Sequence, residues 1–125
     1  MNKAVFVSRD RDQFSEIEKL LNLKNICVEW TGSGTDVLSL LSNAADPVDL
    51  VVLAEDLPDT PPRDLVEAII SRRAFTHCVI AGTMEKKAFH DHYEGYGVLM
   101  QLPPHPTFKD AASLETHLDK LAGLS

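Results

Sequence analysis

The chain has 125 residues, 44% hydrophobic and 25% charged, with 19 acidic against 12 basic side chains and a formal net charge of -7. That length suits a single domain with one core hiding roughly two-thirds of the unfolded surface, and the composition excludes an intrinsically disordered chain. The acidic balance argues against a general nucleic-acid binder, which needs a basic stripe to displace counterions condensed on phosphates.

Near the amino terminus the longest apolar run is Ala4 to Val7, with Arg9 and Arg11 directly after it. This is too short for a signal-peptide core or a membrane span, so a cytoplasmic protein without membrane contact is expected. Cys27 and Cys78 fall in different predicted strands without CxxC spacing, and both are expected to be free, buried thiols.

Short apolar runs alternate with segments of helical period, the pattern of βα units that build a parallel sheet covered on both faces. The first strand spans residues 3–8 and the first helix 12–22, with Phe14, Ile17, Leu20 and Leu21 on one stripe and Asp10 or Asp12 placed as its cap. The second strand covers 26–30. The turn Thr31-Gly32-Ser33-Gly34 leads into a helix over 35–43 with Val37, Leu38 and Leu41 inward. That turn lacks the Lys-Ser/Thr of a P-loop and the third glycine of a dinucleotide fingerprint, so it reads as a turn and not a nucleotide cradle.

The third strand, 49–54, is aliphatic without interruption, as befits a central strand buried on both faces. Pro61 and Pro62 suit the first turn of a helix reaching Arg72 or Arg73, where a missing N–H costs nothing. A fourth strand over 77–82, a helix over 85–94, a fifth strand over 98–102 and a last helix over 110–122 complete five units. His90-Asp91-His92 does not make a metal site, because helical residues two apart diverge by about 200°.

The stretch Val48-Asp49-Leu50-Val51-Val52-Leu53-Ala54-Glu55-Asp56-Leu57-Pro58-Asp59 resembles the third strand and following loop of bacterial response-regulator receiver domains. In that family the strand-end aspartate of a "DLVLLDxxLPxxxG" pattern accepts a phosphoryl group. The resemblance extends over essentially the whole chain by pattern and spacing. It implies a flavodoxin-like (βα)5 three-layer α/β/α sandwich with parallel strands in the order 2-1-3-4-5, functional groups gathering at the carboxyl ends of the strands.

Position by position, the resemblance implies a degenerate member. The phospho-acceptor position holds Ala54, and a methyl group carries no phosphate. The paired acids that hold Mg²⁺ after the first strand are matched by Ser8 and Arg9, so Mg²⁺ binding is not expected and no cofactor is implied. The strand-five lysine is matched by Leu102, with Pro103 at the family's proline, where a cis bond is in keeping with the family. Thr83 alone keeps its residue type, and helix capping is the structural reading favoured for it.

Glu55, following Ala54 along a strand, is expected to point to the opposite side, while Asp56 and Asp59 lie in the loop and are expected near Arg9 in a charge-compensated pocket. Asp10 stands one residue beyond the metal pair and reads as a cap or flank of the first helix.

The expected function is a non-enzymatic, receiver-like signalling domain of two-component or phosphorelay type acting through protein contacts without phosphorylation. Phe89, Tyr93 and Tyr96 mark the candidate interaction face, and a homodimer through helix four, strand five and helix five is the candidate assembly. A small-molecule or nucleotide-binding regulatory domain is the alternative. It requires an open pocket near Ser8, Ala54 and Thr83, not one plugged by Arg9.

Overall fold

Five-residue runs form the strands β1 (Lys3–Val7), β2 (Cys27–Thr31), β3 (Leu50–Ala54), β4 (His77–Ala81) and β5 (Val98–Leu102). Between and after them lie α1 (Ser15–Leu23), α2 (Gly34–Asn43), α3 (Pro62–Arg72), α4 (Lys86–Tyr93) and α5 (Phe108–Gly123). The computed structural model describes residues 1–43 and 47–123. All strand pairs are parallel in the order β2-β1-β3-β4-β5, the expected flavodoxin-like arrangement.

Strand alternation sorts the core into two layers. Ala4, Phe6, Leu50, Val52, Ala54, Val79, Ala81 and Leu102 pack with Ile17 and Leu21 of α1 and Leu114 and Leu118 of α5. Val5, Val7, Val51, Leu53, Cys78 and Ile80 pack on the opposite face with Val37 and Leu41 of α2 and Leu65, Val66 and Ile69 of α3. All five residues of β3 are buried, each large aliphatic contributing about 1.5–3 kcal/mol, so this central strand anchors both layers.

The pairing of β5 slips by one residue. Cys78 faces Val98 while Val79 faces Met100, leaving Leu99 as the extra residue of a bulge. Val98 packs with the α2/α3 layer, whereas Leu99 and Met100 both pack with the α1/α5 layer.

Boundaries differ from expectation where side chains make turns. Asp10 accepts a bond from the Asp12 N–H at 3.0 Å, and backbone turns run through Gln13 and Ser15, so α1 begins at Ser15 and neither aspartate caps it. Pro61 and Pro62 open α3 as anticipated. No cis peptide bond occurs among the described residues, so the Leu102–Pro103 bond is trans, contrary to the family-based expectation. Cys78 is buried as expected, but Cys27 is exposed because β2 is an edge strand with three of its five residues exposed.

Candidate functional site at the carboxyl ends of the strands

The ends of β1, β3 and β4 and the loop after β5 border a cleft of about 410 Å³, lined by Ser8, Arg9, Glu55, Asp56, Ala81 and His105 among others. The core beside it is apolar. Ala54 is 0% exposed and Leu102 1%, and both belong to the α1/α5 layer of the core. Neither side chain lines the cleft. Ala54 lies across from Ala81 in the β3–β4 register, and Ala81 across from Leu102, so a row of hydrocarbon closes the sheet at this end.

Ser8 is fully buried, and its polar capacity is spent locally: its hydroxyl accepts the Asp10 N–H at 3.0 Å and donates to the Gln13 side-chain oxygen. The Gln13 amide nitrogen donates in turn to the carbonyl of Pro104. Since β3 and β4 stand between β1 and β5, this chain of bonds bridges the two strand ends above Ala54 and Ala81. Sequence reasoning missed Gln13, whose partner lies 91 residues further along the chain.

Glu55, the first residue after β3, turns toward the loop that follows β4. Its carboxylate faces Thr83, with one oxygen 3.4 Å from the backbone nitrogen and the other 3.4 Å from the hydroxyl. Thr83 therefore does not cap α4. The helix is preceded by Glu85, which makes no side-chain cap bond. Next to it, the Gln101 side chain accepts the Met84 N–H at 3.0 Å and donates to the Met84 carbonyl at 2.8 Å. Glu55, Thr83, Met84 and Gln101 thus form one cluster, of which the sequence reading had named Glu55 and Thr83 alone.

The two acids expected beside Arg9, Asp56 and Asp59, separate. Glu55 and Asp56 line the cleft with Arg9 and Asp10, but Arg9 is exposed and makes no ion pair within 4 Å among the described residues. Asp59 goes elsewhere, to the amino end of α2, where it accepts the N–H groups of Gly34 and Thr35 at 2.9 Å and the Thr35 hydroxyl at 2.7 Å. These bonds, that of the Thr35 hydroxyl first, hold its pKa down at about 2. Among the described residues, no three His, Cys, Asp or Glu side chains gather as a metal-ligand group.

The aromatic cluster at α4 turns inward. Tyr93 is 6% exposed and packs with the α2/α3 layer. Burial raises its pKa, and the Glu55 carboxylate adds to the rise. Phe89 and Tyr96 are half-buried, with Phe89 4.9 Å from the Tyr93 ring and Tyr96 beneath the Arg63 guanidinium at 5.3 Å. Phe89 and Tyr93 nonetheless border a groove of about 640 Å³ between α4, β5 and α5, together with Met84, Val98, Met100 and Gln101. The aromatics left in solvent among the described residues are Phe75, Phe108 and, less so, Trp30, at 93%, 70% and 37% exposed.

No family model and no curated protein matches the chain. Solved structures do match. The chemotaxis response regulator CheY4 of Vibrio cholerae superposes with a TM-score of 0.78 at 17% identity, over 94% of this chain and 98% of that one. A response regulator receiver domain protein from Clostridium thermocellum gives 0.77 at 15% identity over the whole of both chains. A CheY-like receiver domain protein from Methanospirillum hungatei JF-1 gives 0.79 at 14% identity, over 100% of this chain and 99% of that one. The fold is the receiver fold. Of the four residues that the sequence resemblance sets against the family's phosphoryl-transfer positions, Ser8 and Arg9 line the cleft, whereas Ala54 and Leu102 lie in the core.

Proposed function

We propose that this chain is a receiver-fold signalling module that works through protein contacts and undergoes no aspartyl phosphorylation. The observation that carries the reading is the burial in the hydrocarbon core of Ala54 and Leu102, which the sequence resemblance matches to the nucleophile and the charge-balancing lysine. Phosphoryl transfer depends on a positioned nucleophile and on cations that stabilise the transferring charge. The bridged Ser8 and solvent-facing Arg9 offer no carboxylate pair for Mg²⁺ at the other side of the cleft.

The groove between α4, β5 and α5 is the proposed docking surface, with a second copy of the chain as the candidate partner. A soluble, cytoplasmic setting fits the absence, among the described residues, of any helix long and apolar enough to cross a membrane. The small-molecule alternative gains little support, because Ala54 and Thr83 do not line the cleft and Ser8 is already bonded.

Incubation with acetyl phosphate and Mg²⁺, followed by intact-mass measurement, tests the central statement. An unchanged mass is expected, and a phosphoryl group on a carboxylate would overturn the reading. Sedimentation over a range of concentrations tests self-association, which a strictly monomeric chain would refute.

A further inference from the structure

The carboxylate of Glu55 and the amide of Gln101 hold the loop between β4 and α4 from two sides. Glu55 follows β3 and lines the cleft, whereas Gln101 belongs to the edge strand β5 and lines the groove. Between them pass Gly82, Thr83 and Met84, the residues that lead into α4. Glu55 meets both donors of Thr83, and Gln101 meets both backbone polar groups of Met84. Gly82 sits where both side chains converge. A Cβ there would stand 2.5 Å from a Glu55 carboxylate oxygen and 3.3 Å from the Gln101 side-chain oxygen, so only a bare α-carbon lets the two close together.

The geometry points to a latch made of Glu55 and Gln101 acting as one unit, which fixes the start of α4 from within the chain and mechanically joins the cleft to the groove. The donors of Thr83 are occupied by a carboxylate of the protein itself, so the loop is held without any group added from outside. A protein seated in the groove meets Met84 and Gln101 directly, which links docking there to the hold on Thr83, and linkage of this kind is reciprocal. In this way the latch supplies a regulatory element for the docking surface proposed above, and it rests on that reading for its biological use alone.

Amide hydrogen exchange on the full chain, read residue by residue and without a phosphodonor, tests the latch. Glu55→Gln and Gln101→Leu should each speed exchange of both the Thr83 and the Met84 amides by about tenfold, the loss expected from releasing a hydrogen-bonded loop. Gly82→Ala, which keeps every charge, should do the same by forcing the two side chains apart. Amides of β1 and β3 should keep their parental rates, and Asp56→Asn, which removes a neighbouring charge, should leave Thr83 unchanged. Parental rates at Thr83 and Met84 in the variants would overturn the latch. So would an equal rise throughout β1 and β3, or a Glu55→Gln variant that frees Thr83 and leaves Met84 protected. Mass gain with acetyl phosphate bears on the proposed function and not on this result.

Discussion

Placing a carboxylate at position 54 should damage the protein and not confer phosphoryl chemistry. The Ala54 methyl is fully buried in a layer shared with Phe6, Ala81 and Leu102. The Ser8 hydroxyl and the Gln13 amide above it are already engaged. Enlarging a packed methyl costs about 1–3 kcal/mol. A carboxyl group without a partner there would have its pKa raised, and a rise of about three units corresponds to about 4 kcal/mol once the group ionises. The sum, about 5–7 kcal/mol, is comparable with the whole stability of an ordinary domain, about 5–15 kcal/mol.

The sign of the pH dependence follows from the raised pKa. Below the unfolded value of about 3.9 both states are protonated and only the packing cost remains. Above it the unfolded chain ionises first, so the penalty grows with pH and is complete above the folded value of about 7. Guanidinium unfolding followed by fluorescence of the single tryptophan, Trp30, would compare Ala54→Asp with Ala54→Asn. The asparagine variant should show the packing loss at every pH, and the aspartate variant should fall further between about pH 4 and 8. An aspartate variant as stable as the asparagine variant at neutral pH, or one that takes up a phosphoryl group from acetyl phosphate and Mg²⁺, would refute the reasoning.

Asp59→Ala should lower stability near neutral pH by removing three acceptor bonds at the start of α2. Because the folded pKa is depressed to about 2, this contribution is present above the unfolded value of about 3.8 and is lost as pH falls through about 2. Parent and variant should thus converge in acid unfolding curves, and a gap that persists there would count against the cap. Thiol labelling should find Cys27 reactive in the folded protein, while Cys78, buried and with its pKa pushed up to about 12, should react only on unfolding. Two equally fast thiols would contradict the packing of β4. Gln13→Ala should leave the buried Ser8 hydroxyl without its acceptor, a loss of about 1–3 kcal/mol in denaturant midpoint studies, whereas Asp12→Ala at the exposed neighbour should change little.

The five strands were legible because each is a short aliphatic run, and β3 was clearest because all of its residues are buried. Helix stripes such as Leu65, Val66 and Ile69 were legible for the same reason, since periodicity records burial. Side-chain bonds between distant segments leave no such record. The acceptor of Gln13 is a backbone carbonyl, which any residue type supplies, and Asp59 reaches Gly34 and Thr35 across 25 and 24 residues. The burial of Tyr93 follows from its spacing: Phe89 and Tyr93, four apart, share one helix face, and that face packs against the core. Cys27 was misread because hydrophobic residue type says nothing about whether a strand is central or at the edge.

The bulge at Leu99 works as a shift of reading frame inside a strand. Upstream of it Val98 faces the α2/α3 layer. Downstream, Met100 and Leu102 face the α1/α5 layer, and Gln101 is left on the side of Met84. Were Leu99 paired in regular alternation instead of bulged, the parity of every later position would reverse, turning the Gln101 amide under α5 and Leu102 toward the loop. Lining β5 up residue for residue with an unbulged strand would therefore exchange the roles of these two neighbours. The bulging of Leu99 thus decides which side chain reaches the start of α4.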